Sequence, residues 1–274
     1  MAIFLNGTIL DDRDAHVSVF DHGLTVGDGV FETVKVAGGA PFALTRHLRR
    51  LATSAERLGL PAPDLDELAA GAHEVLARSG HPQAARMRIT VTGGNGPLGS
   101  QRGNAPLTTV IALAEANDWG GPCAVVTVPW TRNERGAMTG IKTTSYGENV
   151  LALAHAKERG ASEAIFGNTR GNLCEGTGTN VFLVTGGELV TPPLSAGCLA
   201  VITRALVLEW CGGTERDVPV SALASASEAF LTSSTRDVQA IASVDGVALP
   251  AAPGPVTGKA AQVFAAYAAQ SLDP

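Results

Sequence analysis

The sequence is poor in lysine and in aromatic residues, and its charge is mildly acidic. Only four of the 20 basic residues are lysines, namely Lys35, Lys142, Lys157 and Lys259. Aromatic side chains make up 5% of the 274 residues, and the formal net charge is −6. This balance argues against nucleic acid or an anionic membrane as the main partner. Any chemistry that needs a lysine amine therefore has few candidates.

Long apolar runs and cysteine motifs are also missing. No apolar stretch is long enough to span a membrane, and the first residues read as a strand and turn, not as a signal peptide. The four cysteines have neither CxxC spacing nor the density of a disulfide scaffold. We therefore expect free, buried thiols, no metal site, no membrane partner and a cytoplasmic location.

Hydrophobic periodicity predicts helices inserted between strands in the first half of the chain. Residues 30–36 alternate as a strand before a Gly-Gly turn, and Leu44 to Leu58 carry one apolar helical face that ends at Gly59. A second helix follows, with Asp64 as its N-cap. Residues 86–92 alternate again and place two arginines and two threonines on one face. Residues 107–114 read as a strand that is buried on both sides.

The same pattern predicts two domains. Residues 116–122 contain polar residues and Gly-Gly-Pro without an apolar period, so we interpret them as an interdomain linker. The N-terminal domain is then 1–115, and the C-terminal domain is 123–274 and carries Lys142. Strands and helices are mixed without regular βαβ alternation, which predicts an α+β fold.

One lysine and one acid suggest covalent cofactor chemistry. Lys142 follows a Gly-Ile pair and precedes a Thr-Thr-Ser turn before a helical stretch, whereas the other three lysines lie on a predicted strand or in predicted helices. Glu175 lies in the run Cys-Glu-Gly-Thr-Gly-Thr-Asn. A lysine amine that forms a Schiff base and a carboxylate beside the pyridinium nitrogen are what pyridoxal phosphate (PLP) requires. We predict Lys142 as the catalytic residue.

A phosphate group needs amides, hydroxyls and a cation, and three segments offer them. Thr203 begins a predicted helix, whose first amides favour anions. Residues 232–235 form a hydroxyl cluster after a strand, and Arg50 lies at the border of an apolar helical stripe. Each segment alone is usually structural. The glycine-rich run 94–100 lacks the GK[ST] ending of a phosphate-binding P-loop.

Taken together, these motifs resemble the fold-type IV (class IV) PLP-dependent enzymes. That family includes branched-chain and D-amino-acid aminotransferases and aminodeoxychorismate lyases. The resemblance rests on motifs that span nearly the whole chain. They are Phe-Leu-Asn-Gly at 4–7, Gly-Asp-Gly-Val-Phe-Glu at 27–32, His-Leu-Arg-Arg-Leu at 47–51, the Lys142 segment, Glu-Gly-x-x-x-Asn at 175–180, Ile-Thr-Arg at 202–204 and Thr-Ser-Ser at 232–234. It implies the two-domain D-amino-acid aminotransferase-like fold, with PLP between the domains and a homodimer.

The resemblance also implies roles for single residues. The cofactor-binding residues are then Arg50, Lys142, Tyr146, Glu175, Ile202, Thr203 and Ser234, with Arg50 on the phosphate and Tyr146 on the ring oxygen. The predicted substrate-binding residues are Phe31, Arg86, Arg88, Thr235 and Arg236. For each of these arginines, surface charge or an ion pair with a neighbouring acid is an equally good interpretation.

Departures from the family pattern bear on the reaction. Val201 replaces the usual glycine before Ile-Thr-Arg, and the arginine motifs typical of the two aminotransferase groups are absent. The extra arginines suit a small substrate with more than one acidic or polar group. We therefore expect a 4-amino-4-deoxychorismate lyase that forms 4-aminobenzoate and pyruvate. The alternatives are an aminotransferase for branched-chain L- or D-amino acids with 2-oxoglutarate or pyruvate, and a non-catalytic PLP-binding relative.

Overall fold

The computed structural model describes residues 1–274 and has the predicted α+β class. The chain forms two compact units. The first unit consists of Met1–Asp118, Ile141–Tyr146 and Ser271–Pro274, and the second unit consists of Trp119–Gly140 and Gly147–Gln270.

The segment that carries Lys142 belongs to the first unit, although the sequence boundaries assign it to the C-terminal domain. Its backbone is joined to a strand of the first unit. The Phe31 amide donates to the Lys142 carbonyl at 2.9 Å, and the Thr144 amide donates to the Gly29 carbonyl at 2.8 Å. Such long-range backbone pairing is invisible to local periodicity. The predicted linker, 116–122, connects the strands that end at Glu115 and begin at Cys123.

The first unit is built on an antiparallel six-stranded sheet whose spatial order is β2-β1-β6-β5-β3-β4. Its strands are β1 (Ala2–Leu5), β2 (Thr8–Asp11), β3 (Gly29–Ala37), β4 (Ala40–Pro41), β5 (Ala84–Thr92) and β6 (Thr108–Glu115). Its helices are α1 (His22–Thr25), α2 (Leu44–Leu58) and α3 (Leu65–Arg78). The core lies between the sheet and the apolar faces of α2 and α3.

Helix α2 begins and ends where the sequence predicts, and each end has a physical cause. Gly59 caps its C-terminus with a φ of 75°, a left-handed conformation that favours glycine. At the other end Ala43 provides no side-chain cap, and Asp273 supplies it instead. The Asp273 carboxylate accepts from the Thr45 amide at 3.0 Å, so a residue far along the chain fixes the start of α2. The Asp64 N-cap of α3 is confirmed as well.

The two faces of the first sheet differ in chemistry. In β5, Ala85, Met87, Ile89 and Val91 are buried, which confirms that both arginines and Thr90 share the opposite face. Strand β6 also alternates, because only every second residue is buried. The expectation that 107–114 is buried on both sides is therefore wrong. Its second face continues the face that bears the arginines of β5.

The second unit contains a mixed nine-stranded sheet of order β12-β11-β10-β13-β14-β7-β8-β9, with β15 paired to β14. The strand pairs β7–β8, β7–β14 and β11–β12 are parallel. The strands are β7 (Cys123–Arg132), β8 (Glu163–Asn168), β9 (Leu173–Gly176), β10 (Asn180–Thr185), β11 (Glu188–Thr191), β12 (Thr214–Glu215), β13 (Glu228–Ser233), β14 (Asp237–Val244) and β15 (Val247–Ala248). The helices are α4 (Gly147–Glu158), α5 (Ile202–Cys211) and α6 (Pro255–Gln270), with 3-10 turns at Leu194–Ala196 and Val220–Ala222.

Three general features bear on the expectations from composition. All four cysteines are free thiols, and three of them are buried. No helix combines the length and the apolar character needed to cross a bilayer. The chain contains no group of three or more His, Cys, Asp and Glu side chains that could hold a metal ion.

Candidate active site

Lys142 lies in an aromatic and largely buried environment of the first unit. Only 9% of the residue is exposed. Its Nζ lies 4.5 Å from the centroid of the Phe31 ring and 5.9 Å from that of Tyr146. These two rings meet edge to face with their centroids 5.0 Å apart. The amine is thus held in a largely buried place beside two aromatic rings.

The turn after Lys142 is fixed by hydrogen bonds to the loop before β3. The Thr144 and Ser145 hydroxyls both donate to the Gly27 carbonyl at 3.0 Å. Gly27 itself has a φ of 70°, and a Cβ there would lie 2.4 Å from the Ser145 hydroxyl. A side chain at position 27 would therefore displace the segment that holds Lys142 and Tyr146.

Arg50 is held by a buried carboxylate. Its Nε donates to Glu32 Oε1 at 2.8 Å, and its Nη2 donates to Glu32 Oε2 at 2.5 Å. His47 Nδ1 contacts the same Oε2 at 2.6 Å. Glu32 is fully buried and the Arg50 side chain is 11% exposed. The guanidinium is thus fixed in one orientation in a place that little water reaches.

Arg88 and Phe31 form a stacked pair on the same face of the sheet. The Arg88 guanidinium lies 3.2 Å from the Phe31 ring centroid, a close cation–π contact. Although the side chain still reaches solvent, desolvation by the surrounding protein lowers the pKa of Arg88 to about 10. It remains charged at neutral pH. Arg86, two residues before Arg88 on β5, donates to the Asn117 side chain at 2.7 Å.

Glu175 belongs to β9 in the second unit and is held on both oxygens. The Leu199 amide donates to Oε2 at 2.9 Å, and Arg132 Nε lies 3.3 Å from Oε1. Arg132 is itself placed over the Phe166 ring at 4.0 Å and donates to the Asn149 side chain at 2.9 Å. The carboxylate is therefore directed, with a cation beside one of its oxygens.

The spacing Glu-x-x-x-x-Asn at 175–180 has a structural reason. The side chains of Glu175 and Asn180 both bind the backbone of Leu199. Asn180 Nδ2 donates to the Leu199 carbonyl at 3.1 Å, and the Glu175 carboxylate accepts from the Leu199 amide. Leu199 lies just before α5, so one loop residue links the acid to the helix that the sequence predicts for phosphate.

The residues predicted for phosphate have geometry that fits an anion. Helix α5 begins at Ile202, and its N-cap, Val201, makes no side-chain capping bond. Thr203 is buried directly behind it. Val201 has a φ of −73° and a ψ of 138°, an extended conformation that any residue adopts, so the missing glycine costs nothing here. Further along the chain, Ser234 and Thr235 form a half-buried turn after β13. The buried hydroxyl of Thr232, near the end of β13, lacks a hydrogen-bond partner.

Arg236 is occupied by contacts inside the second unit. Its guanidinium lies 3.6 Å from the Trp119 ring centroid and donates to the Ser162 carbonyl at 3.2 Å. It also lies 3.9 Å from the Glu163 carboxylate and donates to Gln239. These contacts favour the ion-pair interpretation of Arg236 over substrate binding. Glu163 in turn accepts from the amide and hydroxyl of Thr177, which shapes the glycine/threonine loop after Glu175.

Two residues of this region were not singled out from the sequence. From the sequence, Glu32 stands out only as the last residue of a motif, and Arg132 does not stand out at all. A lone acid among the apolar residues of β3 is an unusual signal that indicates a buried partner. Arg132 carries no comparable signal, because a basic residue at a strand end is common.

The chain belongs to the amino-transferase class IV family, whose model matches residues 29–244. Two relatives match nearly the whole chain. A Methanocaldococcus jannaschii protein, inferred to be a branched-chain-amino-acid aminotransferase, is 33% identical and covers 90% of this chain and 88% of its own length. D-alanine aminotransferase of Bacillus licheniformis is 28% identical, and the match covers 94% of this chain and 93% of the relative's length.

Solved structures agree with this membership. Branched-chain aminotransferase of Thermoproteus uzoniensis with norvaline superposes with a TM-score of 0.91 at 29% identity, over 97% of this chain and 93% of its own. A Legionella pneumophila protein that is inferred to be a 4-amino-4-deoxychorismate lyase gives a TM-score of 0.87 at 23% identity. This match covers 93% of this chain and 97% of the Legionella chain. The latter likeness shows the fold alone. The protein is a PLP-dependent enzyme of class IV.

Proposed function

We propose that the protein is an aminotransferase that exchanges an amino group between an amino acid and a 2-oxo acid with a second carboxylate, such as 2-oxoglutarate. The observation that carries this proposal is the row formed by Arg88, Phe31 and Lys142. The Arg88 guanidinium stacks on the Phe31 ring, and Lys142 Nζ lies 4.5 Å from the same ring. Both cations lie against the same ring, and we propose that a carboxylate bound by Arg88 brings its α-carbon to the lysine.

The basic character of this sheet face supports an acidic substrate. Lys35 and Arg86 are direct cross-strand partners, and Arg88 follows two residues further along β5. Like charges opposite each other destabilise a sheet, and a bound anion relieves that repulsion. Phe31, Arg86 and Arg88 are our proposed substrate-binding residues, with Thr235 as a hydroxyl donor. For Arg236 we propose a structural role.

The cofactor and the chain divide the chemistry. PLP, when bound, supplies the electron sink that stabilises negative charge at the substrate α-carbon and carries the amino group. Lys142 would take the proton from that carbon and deliver it to the cofactor carbon bonded to the transferred nitrogen. Glu175 holds the proton on the pyridine nitrogen, because a directed carboxylate favours the protonated ring. Tyr146 donates to the ring oxygen, and Arg50, Ser234, Thr203 and the Ile202 amide bind the phosphate.

The lyase reaction is the second candidate, and the same basic face favours it. Aminodeoxychorismate carries more than one acidic group, so several arginines suit it as well. Both reactions use Lys142 to take the proton from the α-carbon. The names of the relatives at 28% and 33% identity, together with the family, favour the aminotransferase, so the lyase expectation from sequence is retained only as this alternative.

An amino-donor panel tests the proposal. Purified enzyme is incubated with PLP, 2-oxoglutarate or pyruvate and a set of L- and D-amino acids, and in parallel with aminodeoxychorismate alone. We expect amino transfer to 2-oxoglutarate, with a KM for this acid that rises about tenfold or more in Arg88→Ala, as expected for a charge-assisted contact. Release of 4-aminobenzoate without amino transfer would establish the lyase. The absence of both would favour a non-catalytic relative.

We further propose a homodimer. The segment 17–26 of the first unit exposes five large apolar side chains, namely Val17, Val19, Phe20, Leu24 and Val26. A clustered apolar patch of this kind is typical of an interaction surface. Analytical ultracentrifugation should give a dimer that Val19→Asp together with Leu24→Asp converts to monomer. A wild-type monomer at micromolar concentration contradicts this proposal.

A further inference from the structure

The carboxylate of Glu32 is the anchor of a buried polar cluster in the first unit. It is 0% exposed and lies on the α2 side of β3, between Val30 and Val34 of the core. Both of its oxygens are used, one by Arg50 Nε and the other by Arg50 Nη2 and His47 Nδ1. His47 and Arg50 are three residues apart on α2 and therefore share one helical face. One strand acid thus binds two residues of one helix.

The charges of this cluster are set by its burial. Burial alone would raise the pKa of Glu32, but the charge of Arg50 and the hydrogen bonds from Arg50 and His47 outweigh it and lower the pKa to about 2. Burial lowers the pKa of His47, and the charges of Arg50 and Lys142 act in the same direction against the attraction of Glu32. At neutral pH the cluster therefore contains an ionised Glu32, a charged Arg50 and a neutral His47 that donates its Nδ1 hydrogen.

The arrangement suits the orientation of a guanidinium. Fork-to-fork pairing with a carboxylate fixes the plane of the arginine as well as its position. A guanidinium has five N–H donors, so an arginine that is paired with one carboxylate can also bind a phosphate. An arginine that is held in place before the anion arrives loses less rotamer entropy when the anion binds.

We propose that Glu32, supported by His47, is a positioning residue that orients Arg50 for the phosphate of the cofactor. This inference rests on the role proposed above for Arg50. It predicts that Glu32 contributes to binding of the phosphate and not to binding of the pyridine ring. The alternative is that Glu32 only stabilises the packing of α2 on the sheet, in which case all ligands of the site suffer alike.

The test compares PLP with pyridoxal, which has the same ring and aldehyde but lacks the phosphate. Dissociation constants of both are measured by fluorescence titration of the apoenzyme for the wild type and for Glu32→Gln, Arg50→Ala and the double variant. We expect Glu32→Gln to weaken PLP about tenfold or more, as for loss of a charge-assisted contact, and to leave pyridoxal unchanged. In the Arg50→Ala background, Glu32→Gln should raise the dissociation constant of PLP by less than about twofold.

Two further variants keep the result interpretable. Glu56→Gln removes an exposed acid from the same helix and should change neither constant. Glu32→Asp retains the charge but is one methylene too short to pair with both nitrogens. It should fold, as checked by circular dichroism and thermal unfolding, and still lower the ratio of PLP affinity to pyridoxal affinity.

Different failures have different meanings. Equal weakening of PLP and pyridoxal in folded Glu32→Gln or Glu32→Asp overturns the positioning role and leaves the role of Arg50 intact. An undiminished effect of Glu32→Gln in the Arg50→Ala background does the same. If Arg50→Ala binds PLP as tightly as the wild type, the phosphate role of Arg50 and the present inference both fall.

Discussion

Two carboxylates of the first unit, Glu32 and Asp28, face cationic side chains, whereas Glu163 and Glu228 of the second unit accept mainly from amides and hydroxyls. Glu32 pairs with Arg50 and His47, and Asp28 pairs with Arg102 at 2.6 Å and 2.7 Å. In the second unit, Glu163 accepts from Thr177 and Thr179. Glu228 accepts from the Thr257 amide at 2.8 Å, near the start of α6.

The difference shows two uses of a buried carboxylate. An acid paired with a guanidinium forms a pair without net charge and serves to direct a cation. An acid held by amides keeps its charge and is itself the directed group, because the donors are dipoles without net charge. Glu175 combines both, since Leu199 donates an amide and Arg132 supplies a neighbouring charge. The four predictions below test this contrast.

The largest effect should come from removing the amine of the first unit. Lys142→Ala loses both the covalent link and the proton transfer, so turnover should fall by at least about 10⁴-fold. The visible absorption of the bound cofactor should disappear as well. Lys157→Ala, an exposed lysine of α4, is the matched control. Borohydride reduction followed by peptide mapping should label Lys142, and a label on Lys35, Lys157 or Lys259 would refute the assignment.

The next effect concerns the directed acid of the second unit. Glu175→Gln keeps the shape and the Leu199 hydrogen bond but removes the charge that favours a protonated ring. Turnover should fall about 10²-fold or more, as for loss of a key electrostatic partner, while PLP stays bound. Steady-state kinetics and cofactor titration measure the two quantities separately. Near-normal turnover would show that this carboxylate has no part in the reaction.

A smaller effect should follow from changing the cation beside that acid. Arg132→Met preserves much of the packing on Phe166 but removes the charge 3.3 Å from Glu175. We expect turnover to fall about tenfold, the cost of one charge-assisted contact. The double variant Arg132→Met with Glu175→Gln should be no slower than Glu175→Gln alone, because Arg132 acts through the acid. Additive losses in this cycle argue for an independent role of Arg132.

The smallest effect is on stability, at the Asp28–Arg102 pair of the first unit. The Arg102 hydrogen bond lowers the pKa of Asp28 below its ordinary value of 3.8, against the opposing effect of burial. A depressed acid pKa stabilises the fold above 3.8 and loses that contribution as the pH falls below it. Arg102→Ala should therefore reduce the free energy of unfolding by about 1–2 kcal/mol at pH 7.

Measuring the free energy of unfolding near pH 3 distinguishes the loss of the Asp28–Arg102 pair from a general loosening of the loop. The difference between wild type and Arg102→Ala should shrink there, because Asp28 binds a proton in the unfolded state at a pH where the folded wild type still holds it ionised. Arg78→Ala is the control. Its contact with Glu74 is 3.9 Å long and exposed, so the expected change is below about 0.5 kcal/mol. A pH-independent loss in Arg102→Ala would assign the effect to its bonds with the Leu58 and Gly59 carbonyls.

The sequence by itself determined the local elements and the chemical type of the site. The bounds of α2, its glycine stop, the Asp64 cap and the one-sided arginines of β5 follow from periodicity and capping, which depend on neighbours within a few residues. Lys142 and Glu175 are identifiable because their residue types are rare or isolated in their surroundings. The order of motifs was sufficient to recognise the class IV family.

Tertiary structure alone decided which residues hold these groups in place. Glu32 meets His47 and Arg50, Arg132 meets Glu175, and Asn180 shares Leu199 with that acid, all through contacts between residues distant in sequence. The segment around Lys142 joins β3 of the first unit by the same kind of pairing. Periodicity reports whether a residue is buried, but it does not report against what, because partners in a sheet or across a core are set by the path of the whole chain.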